Sequence, residues 1–370
     1  MAGKPRWYQQ DRASDGWHAP SLMRVWIVAP LAVLGAIGAG WLIYHLVVDR
    51  LVANTSDAIK TTLAILTLAG AVLAGVYAYR KQRIAESDAH RADANQFADR
   101  YTTAAEQLGH DKAAVRLAGV YALARLADDW EEQRQVCIDV LCAYLRMPYQ
   151  PDPDASGYKE GEREVRHTVI RLIRDHLRLE QENPQSWQGL DFDFTEATFD
   201  GGDLSGAVFC GGTVSFDGAM FTGGTVICDR AVFSGGTVSF NRATFSGGSV
   251  PFTQAQFSDC VVRFDRATFS GAAVNFGEVE FSDGVVSFDD ATFTRDKVSF
   301  YRATFSGGLV RFIHARFSGG KVSFTDAMFC DGSVDLRSVA SWAKPPHFDT
   351  EVLDNPPAGL LLPSPTVVRP

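Results

Sequence analysis

Residues 233–257 read FSGGTVSFNRATFSGGSVPFTQAQF. A phenylalanine returns after twelve residues and again after twelve, and Phe233 and Phe245 are each followed by Ser-Gly-Gly. The same interval extends in both directions through Phe209, Phe221, Phe233, Phe245, Phe257, Phe269, Phe281, Phe293, Phe305, Phe317 and Phe329. Two residues before each stands Ala, with Val279 the one exception. Five residues after each stands Val, from Val214 to Val334, and two beyond that Val stands Phe again except at Cys228 and Leu336.

One unit is therefore V-x-F-x-x-A-x-F-x-x-x-x. Residues two apart share one face of a strand, so Val with Phe, and Ala with Phe, point the same way. The two polar residues between Phe and Ala turn one corner, and the Ser-Gly-Gly run turns another, with Gly supplying backbone angles closed to other residues. The period is that of a β-solenoid whose phenylalanines stack as ladders. Twelve residues are too few to enclose such ladders, so two units, 24 residues, are expected to make one four-sided coil. Roughly six coils would form a rod near 30 Å long. Each buried Phe contributes about 2–3 kcal/mol.

The entry to this region has a shorter step. Phe194, Phe199, Leu204 and Phe209 are five apart, with Ala197 and Ala207 two before their partners. This A-x-[LF]-x-x rhythm resembles that of the pentapeptide-repeat family over Leu190–Leu336. The resemblance implies a right-handed quadrilateral β-helix with the Phe or Leu and the preceding small residue inside. The chain departs from the family by spacing its units 5+7 rather than 5+5, which implies a wider or flatter cross-section.

Two apolar stretches precede the body. Residues 25–48, VWIVAPLAVLGAIGAGWLIYHLVV, are apolar apart from His45, and residues 61–79, TTLAILTLAGAVLAGVYAY, carry no charge. At about 1.5 Å per residue the first can cross a hydrocarbon core of roughly 30 Å, and the second is near the minimum length. Together they are expected to form a transmembrane hairpin after a cytoplasmic segment, 1–24. Lys4, Arg6, Arg12 and Arg24 precede the first stretch, and Arg80, Lys81, Arg83 and Arg91 follow the second. Only Arg50 and Lys60 lie between, so the positive-inside rule places both termini and the solenoid in the cytoplasm, at the inner or plasma membrane. Small residues four apart, Ala36 with Gly40 and Gly70 with Ala74, suit close helix packing.

A helical module is expected over 80–183. Its first helix carries Phe97, Tyr101, Ala105 and Leu108 on one face. Asp111 is placed to cap a second, striped by Leu117, Val120, Ala124 and Ala127. A third, 132–147, turns Val136, Val140 and Tyr144 inward. The fourth, 163–180, carries Val165, Val169, Ile173 and Leu177, with His167 and His176 read as surface or satisfied core residues. The phrase AAEQLGHDKAAVRLAGVYALARLADDW followed by VCIDVLCAYLR resembles the module that precedes the repeats in bacterial membrane-attached pentapeptide-repeat proteins. Asp111, Val115, Arg116, Ala118, Ala122 and Leu123 also resemble one HEAT-type unit. The fold class is thus α+β multidomain: membrane hairpin, helical module, β-solenoid over 184–336, and a C-terminal cap and tail, 337–370. In that tail Trp342, Phe348 and Leu353 are placed to cover the last coil, since solenoid ends need caps.

Function has fewer marks. The formal net charge of −9 does not suit a general nucleic-acid binder, which needs basic surface. The six cysteines show no metal-site spacing and are read as reduced filling, Cys228 standing in a slot otherwise held by Phe. No phosphate loop and no GGxGxD calcium pattern occurs. At a 24-residue register Asp217, Asn241, Asp265 and Asp289 form one outward column, joined by Asp290 and flanked by Arg242 and Arg266. Asp and Asn capping their own turns is the reading preferred to a cation site. The column is kept as a candidate interaction ladder. No catalytic residue, cofactor, metal or small-molecule substrate is expected. The expectation is a membrane-tethered, non-catalytic scaffold whose partners are the lipid bilayer and an unidentified protein. The alternative comes from the resemblance: certain pentapeptide-repeat proteins resemble duplex DNA and inhibit topoisomerase, so an acidic solenoid could regulate a nucleic-acid enzyme by mimicry.

Overall fold

The computed structural model of the chain describes residues 55–295 and 297–364, with scattered positions between 34 and 45. It divides into two compact units, Met1–Asp93 and Ala94–Pro370.

In the first unit, helix α1 begins at Thr55 and runs without a break to Leu108, past the unit boundary. The separate helix expected from 81 is therefore a continuation of the second apolar stretch: Ala, Gln, Glu and Arg after Tyr79 are all good helix formers, and nothing between interrupts them. Its Thr62–Leu108 portion is long and apolar enough to cross a membrane, and Leu63, Val72 and Tyr77 are exposed. Most of the expected span 25–48 lies outside the described residues. The described positions within it are helical, and Gly40 is buried where a Cβ would lie 3.3 Å from the Leu66 side chain.

The second unit holds the rest of the helical module and the solenoid. Helices α2 (Ala113–Asp129), α3 (Arg134–Arg146) and α4 (Glu162–Leu177) pack around Val120, Leu123, Ile138, Leu141, Val169 and Ile173. The α4 stripe is as expected: Val165, Val169, Ile173 and Leu177 are all fully buried. Of the expected α3 stripe Tyr144 is buried and Val140 packs partly against the core, but Val136 is 42% exposed, and the buried face is centred on Cys137, Ile138, Leu141 and Cys142. Asp111 does not cap α2: the cap position is Lys112, with no side-chain bond, and it is the Asp111 carbonyl that is used, by Arg116.

The solenoid has four faces and a 24-residue coil. Phe245 pairs in register with Phe269 on the second face and Phe257 with Phe281 on the fourth. The first coil is two residues shorter, Phe199 pairing with Phe221, which is where the five-residue step gives way to the longer one. Eight parallel strands on the first face, from Phe192 to Leu361, make seven turns rather than six, because the tail adds a turn. The periodic phenylalanines divide into two columns, Phe221–Phe245–Phe269–Phe293–Phe317 on the second face and Phe209–Phe233–Phe257–Phe281–Phe305–Phe329 on the fourth. Phe245 and Phe269 stack with centroids 4.8 Å apart and planes within 3°. The other phenylalanine of each unit stacks likewise, Phe264 on Phe288 at 4.8 Å. All but Phe329, which is half-buried at the end of its column, lie in the core. In the tail, Phe348 stacks on Phe324 at 4.8 Å and Trp342 meets Phe317 edge-on at 5.6 Å. Leu353, on the short helix α5 (Thr350–Asp354), is 49% exposed and covers nothing.

Candidate interaction surface

The outward features are set by the corners. At Phe264–Ala267 the Ala267 amide donates to the Phe264 carbonyl at 3.1 Å, closing a turn over Asp265 and Arg266. Arg266 has φ of +58°, in the left-handed region. The same position is left-handed at Arg230, Arg242, Gln254, Glu278, Asp290, Arg302, His314 and Asp326. Such a conformation costs a non-glycine residue about 1 kcal/mol or more. Each turn recovers this by donating to the coil above, as when the Arg266 amide meets the Asp289 carbonyl at 2.7 Å. Sequence reasoning assigned the special backbone angles to the Gly-Gly turns alone and missed these. The signal was there: after Glu196, left-handed at +61°, the next two residues in this slot are Gly206 and Gly218.

The interaction ladder sits on the corner between the first and second faces. Its carboxylates do not cap their own turns. Asp217 accepts from the Asn241 amide at 3.1 Å and from the Ser239 hydroxyl, both on the next coil. Asp265 accepts from the Asp289 amide at 3.2 Å and from Ser287, and Asp289 accepts from the Ile313 amide at 3.0 Å. The carboxylates lie along the stacking direction, so the turn above is nearer than the donors of their own. Burial raises the Asp289 carboxyl's pKa, against the lowering by the Ile313 amide and Arg311, whose Nε lies 2.9 Å away. The Asn241 Oδ1 is buried without a hydrogen-bond partner.

Beside this column runs an open groove of about 450 Å³, lined by Asp217, Asn241, Arg242, Asp265, Arg266, Asp289 and Asp290. Asp290 makes only long contacts, 3.9 Å to Arg266 and 3.8 Å to His314. The groove's lining mixes both signs and, among the described residues, no set of three or more His, Cys, Asp or Glu is placed to hold a metal ion.

A second polar cluster joins the helical module to the first coil. Asp200, 8% exposed, accepts from the Tyr149 hydroxyl at 2.8 Å and Arg163 Nε at 2.9 Å, and its other oxygen lies 3.1 Å from His167 Nε2. Burial alone would raise the Asp200 pKa, but the His167 and Tyr149 hydrogen bonds and Arg163 hold it down at about 2. Arg166, buried between them, donates to the Leu145 and Thr198 carbonyls and stacks over the Tyr149 ring at 4.4 Å. Arg146 with Asp193, and Arg174 with Asp203, add two more links to the same coil. His167 is thus a partnered residue of the joint. His176, stacked on buried Trp187 at 4.0 Å and 3.1 Å from Asp128, is a partnered core residue. Tyr149 lies in the proline-rich stretch PYQPDP between α3 and α4.

Residues 252–304 match the family described as "Pentapeptide repeats (9 copies)". Together with the four-sided stack this decides what the repeats are. The chain carries a pentapeptide-repeat solenoid. No curated protein matches it in sequence. Among solved structures, it is similar at 18% identity to QnrB1, a plasmid-mediated fluoroquinolone resistance protein, over 42% of this chain and 91% of that one. The TM-score is 0.11, too low for a shared overall shape. The 5+7 spacing is accommodated within a four-sided plan: the two extra residues of each unit fall at the Gly-Gly turns, and all four faces keep their inward columns.

Proposed function

We propose that this pentapeptide-repeat chain is a membrane-tethered, non-catalytic scaffold that binds a protein through the groove along Asp217, Asn241, Asp265, Asp289 and Asp290. The observation that carries the reading is the contrast between an invariant interior and a changing exterior. At the groove the position after the column reads Gly218, Arg242, Arg266, Asp290 and His314 on successive coils, while the phenylalanines beneath repeat without change. A rigid rod with a sequence of different charges along one edge suits recognition of an extended complementary surface, where charge order sets register and specificity. Tethering is supported by the exposed apolar part of α1. The finer topology, a two-span hairpin in the inner or plasma membrane with both termini cytoplasmic, follows from the Lys/Arg distribution.

The test is affinity capture with the full chain solubilised from its native membrane, comparing the unchanged protein with Arg242→Glu/Arg266→Glu. Both side chains are outward, and Glu278 shows that Glu occupies the same left-handed turn position. Loss of a specific protein with unchanged melting supports the reading. An identical set of captured proteins overturns it.

DNA mimicry is the second reading, favoured by one observation: residues 190–336 hold eighteen Asp and Glu against ten Lys and Arg. Three of those acids, Asp193, Asp200 and Asp203, are however consumed by arginines of the helical module. Inhibition of a topoisomerase by the purified full chain, abolished by Asp290→Lys, would favour this reading over the scaffold.

A further inference from the structure

The third face of the solenoid ends in a feature opposite in sign to the rest. A hollow of about 350 Å³ is lined by Gly320, Lys321, Ser323, Lys344 and His347, together with Val322 and Pro345. Ser323 bridges His347 in parallel, which brings the tail across the end of the face. Lys344 donates one hydrogen to the Gly319 carbonyl at 2.9 Å and keeps two. One coil below, Lys297 is the register partner of Lys321 and Ser299 of Ser323. Lysines in register on neighbouring parallel strands stand about 4.8 Å apart at the backbone, and like charges so placed repel. Lys321, Lys344 and His347 are exposed, and among the described residues no carboxylate lines the hollow.

We propose that this hollow is a binding site for a phosphate-class dianion, a phosphomonoester or a diphosphate. Two ammonium groups at the hollow and a third one coil away favour a ligand carrying more than one negative charge, since a monoanion would leave most of their repulsion in place. Lys321 and Lys344 act as point charges on the oxyanion, with the His347 ring as a further donor, while the Ser323 hydroxyl at the wall is held by Thr325 at 2.7 Å. The chemistry fits either a soluble phosphate compound or a phospholipid headgroup. It is independent of the groove on the opposite corner.

The test is calorimetric titration of the full chain in a zwitterionic detergent. Sodium pyrophosphate and a short-chain phosphatidate kept below its micellar concentration are the two probes. Saturable binding that falls about tenfold or more in Lys321→Gln/Lys344→Gln, and is retained in Lys321→Arg, supports the site. Tighter binding of pyrophosphate identifies a soluble ligand, and tighter binding of phosphatidate a headgroup. If the double variant melts lower than the parent, Lys344→Gln alone, outside the strands, carries the comparison. No saturable binding of either probe, or equal affinity in parent and variant, overturns the proposal.

Discussion

The Asp265 carboxylate accepts the backbone amide of Asp289, 3.2 Å away and 24 residues later, so a side chain on one coil holds the turn of the next. Asp265 also takes the Ser287 hydroxyl. Removing the acceptor leaves the Asp289 amide with only the Ser287 hydroxyl, 3.3 Å away, and leaves that hydroxyl, on a buried serine, without its own acceptor, at about 1–3 kcal/mol. Asp265→Ala is therefore expected to lower the melting temperature clearly. Asp290→Ala, whose carboxylate makes only contacts of 3.8 Å and longer, is expected to change stability by less than about 0.5 kcal/mol. Thermal denaturation of both variants checks the ordering, and equal melting would mean that the inter-coil bond contributes nothing.

Inside and outside are separated by one residue. Phe269 is fully buried between Phe245 and Phe293, and Thr268 faces outward beside Thr244 and Thr292. Phe269→Asp places an unpaired carboxylate in the stack and is expected to cost several kcal/mol, about 4 or more. Thr268→Asp is expected to cost less than about 1 kcal/mol. Chemical denaturation of the two variants is the measurement, and similar midpoints would show that the faces are misassigned.

The Gly-Gly turns differ among themselves. A Cβ on Gly248, where φ is +72°, would meet the Gly224 carbonyl oxygen at 2.2 Å, whereas one on Gly223 meets nothing within 4 Å. Gly248→Ala has to push one coil away from the next and is expected to destabilise by about 2 kcal/mol or more, by steric overlap added to an unfavourable φ. Gly223→Ala is expected to be neutral or slightly stabilising. Comparable melting temperatures for the two would remove the steric account of the repeat.

The joint between module and solenoid has a pH signature. The Asp200 pKa lies at about 2 against an ordinary 3.8, because the His167 and Tyr149 hydrogen bonds and Arg163 outweigh its burial. A carboxyl with a folded pKa below its unfolded one contributes stability that is complete above the unfolded value and is lost as pH falls through the folded value. The parent is thus expected to melt above Asp200→Asn at neutral pH, and the gap to close between about pH 4 and pH 2. A gap that persists unchanged at the acid end would place the stabilisation elsewhere.

How far the sequence could be read depends on which interactions repeat. The twelve-residue interval of phenylalanines determined coil length, the inward columns and the faces, because the same packing recurs at every step. His167 and Asp200 occur once each as a pair, and their meeting depends on how α4 lies against the first coil, which no periodicity encodes. The α3 face was read off-centre: Tyr144 is buried as expected and Val140 lies at the edge of the buried face, but Val136 is exposed, and Cys137 and Cys142, equally apolar when buried, were not counted in the stripe. At the groove, the column Asp217, Asn241, Asp265 and Asp289 was legible from spacing. The direction of its hydrogen bonds was not, since that depends on the distance between coils rather than on order along the chain.

The central claim is that a protein partner docks along the groove at Arg242, Arg266 and Asp290 of a tethered rod. A photo-crosslinking amino acid placed at Arg266 in native membranes tests it most directly, with Gln254, the same turn position on the diagonally opposite corner, as the control. The account predicts a discrete cross-linked adduct from position 266, none from 254, and loss of the adduct when Arg242→Glu and Asp290→Lys are added. Adducts from 254 alone, equal adducts from both positions, or no adduct from either would contradict it.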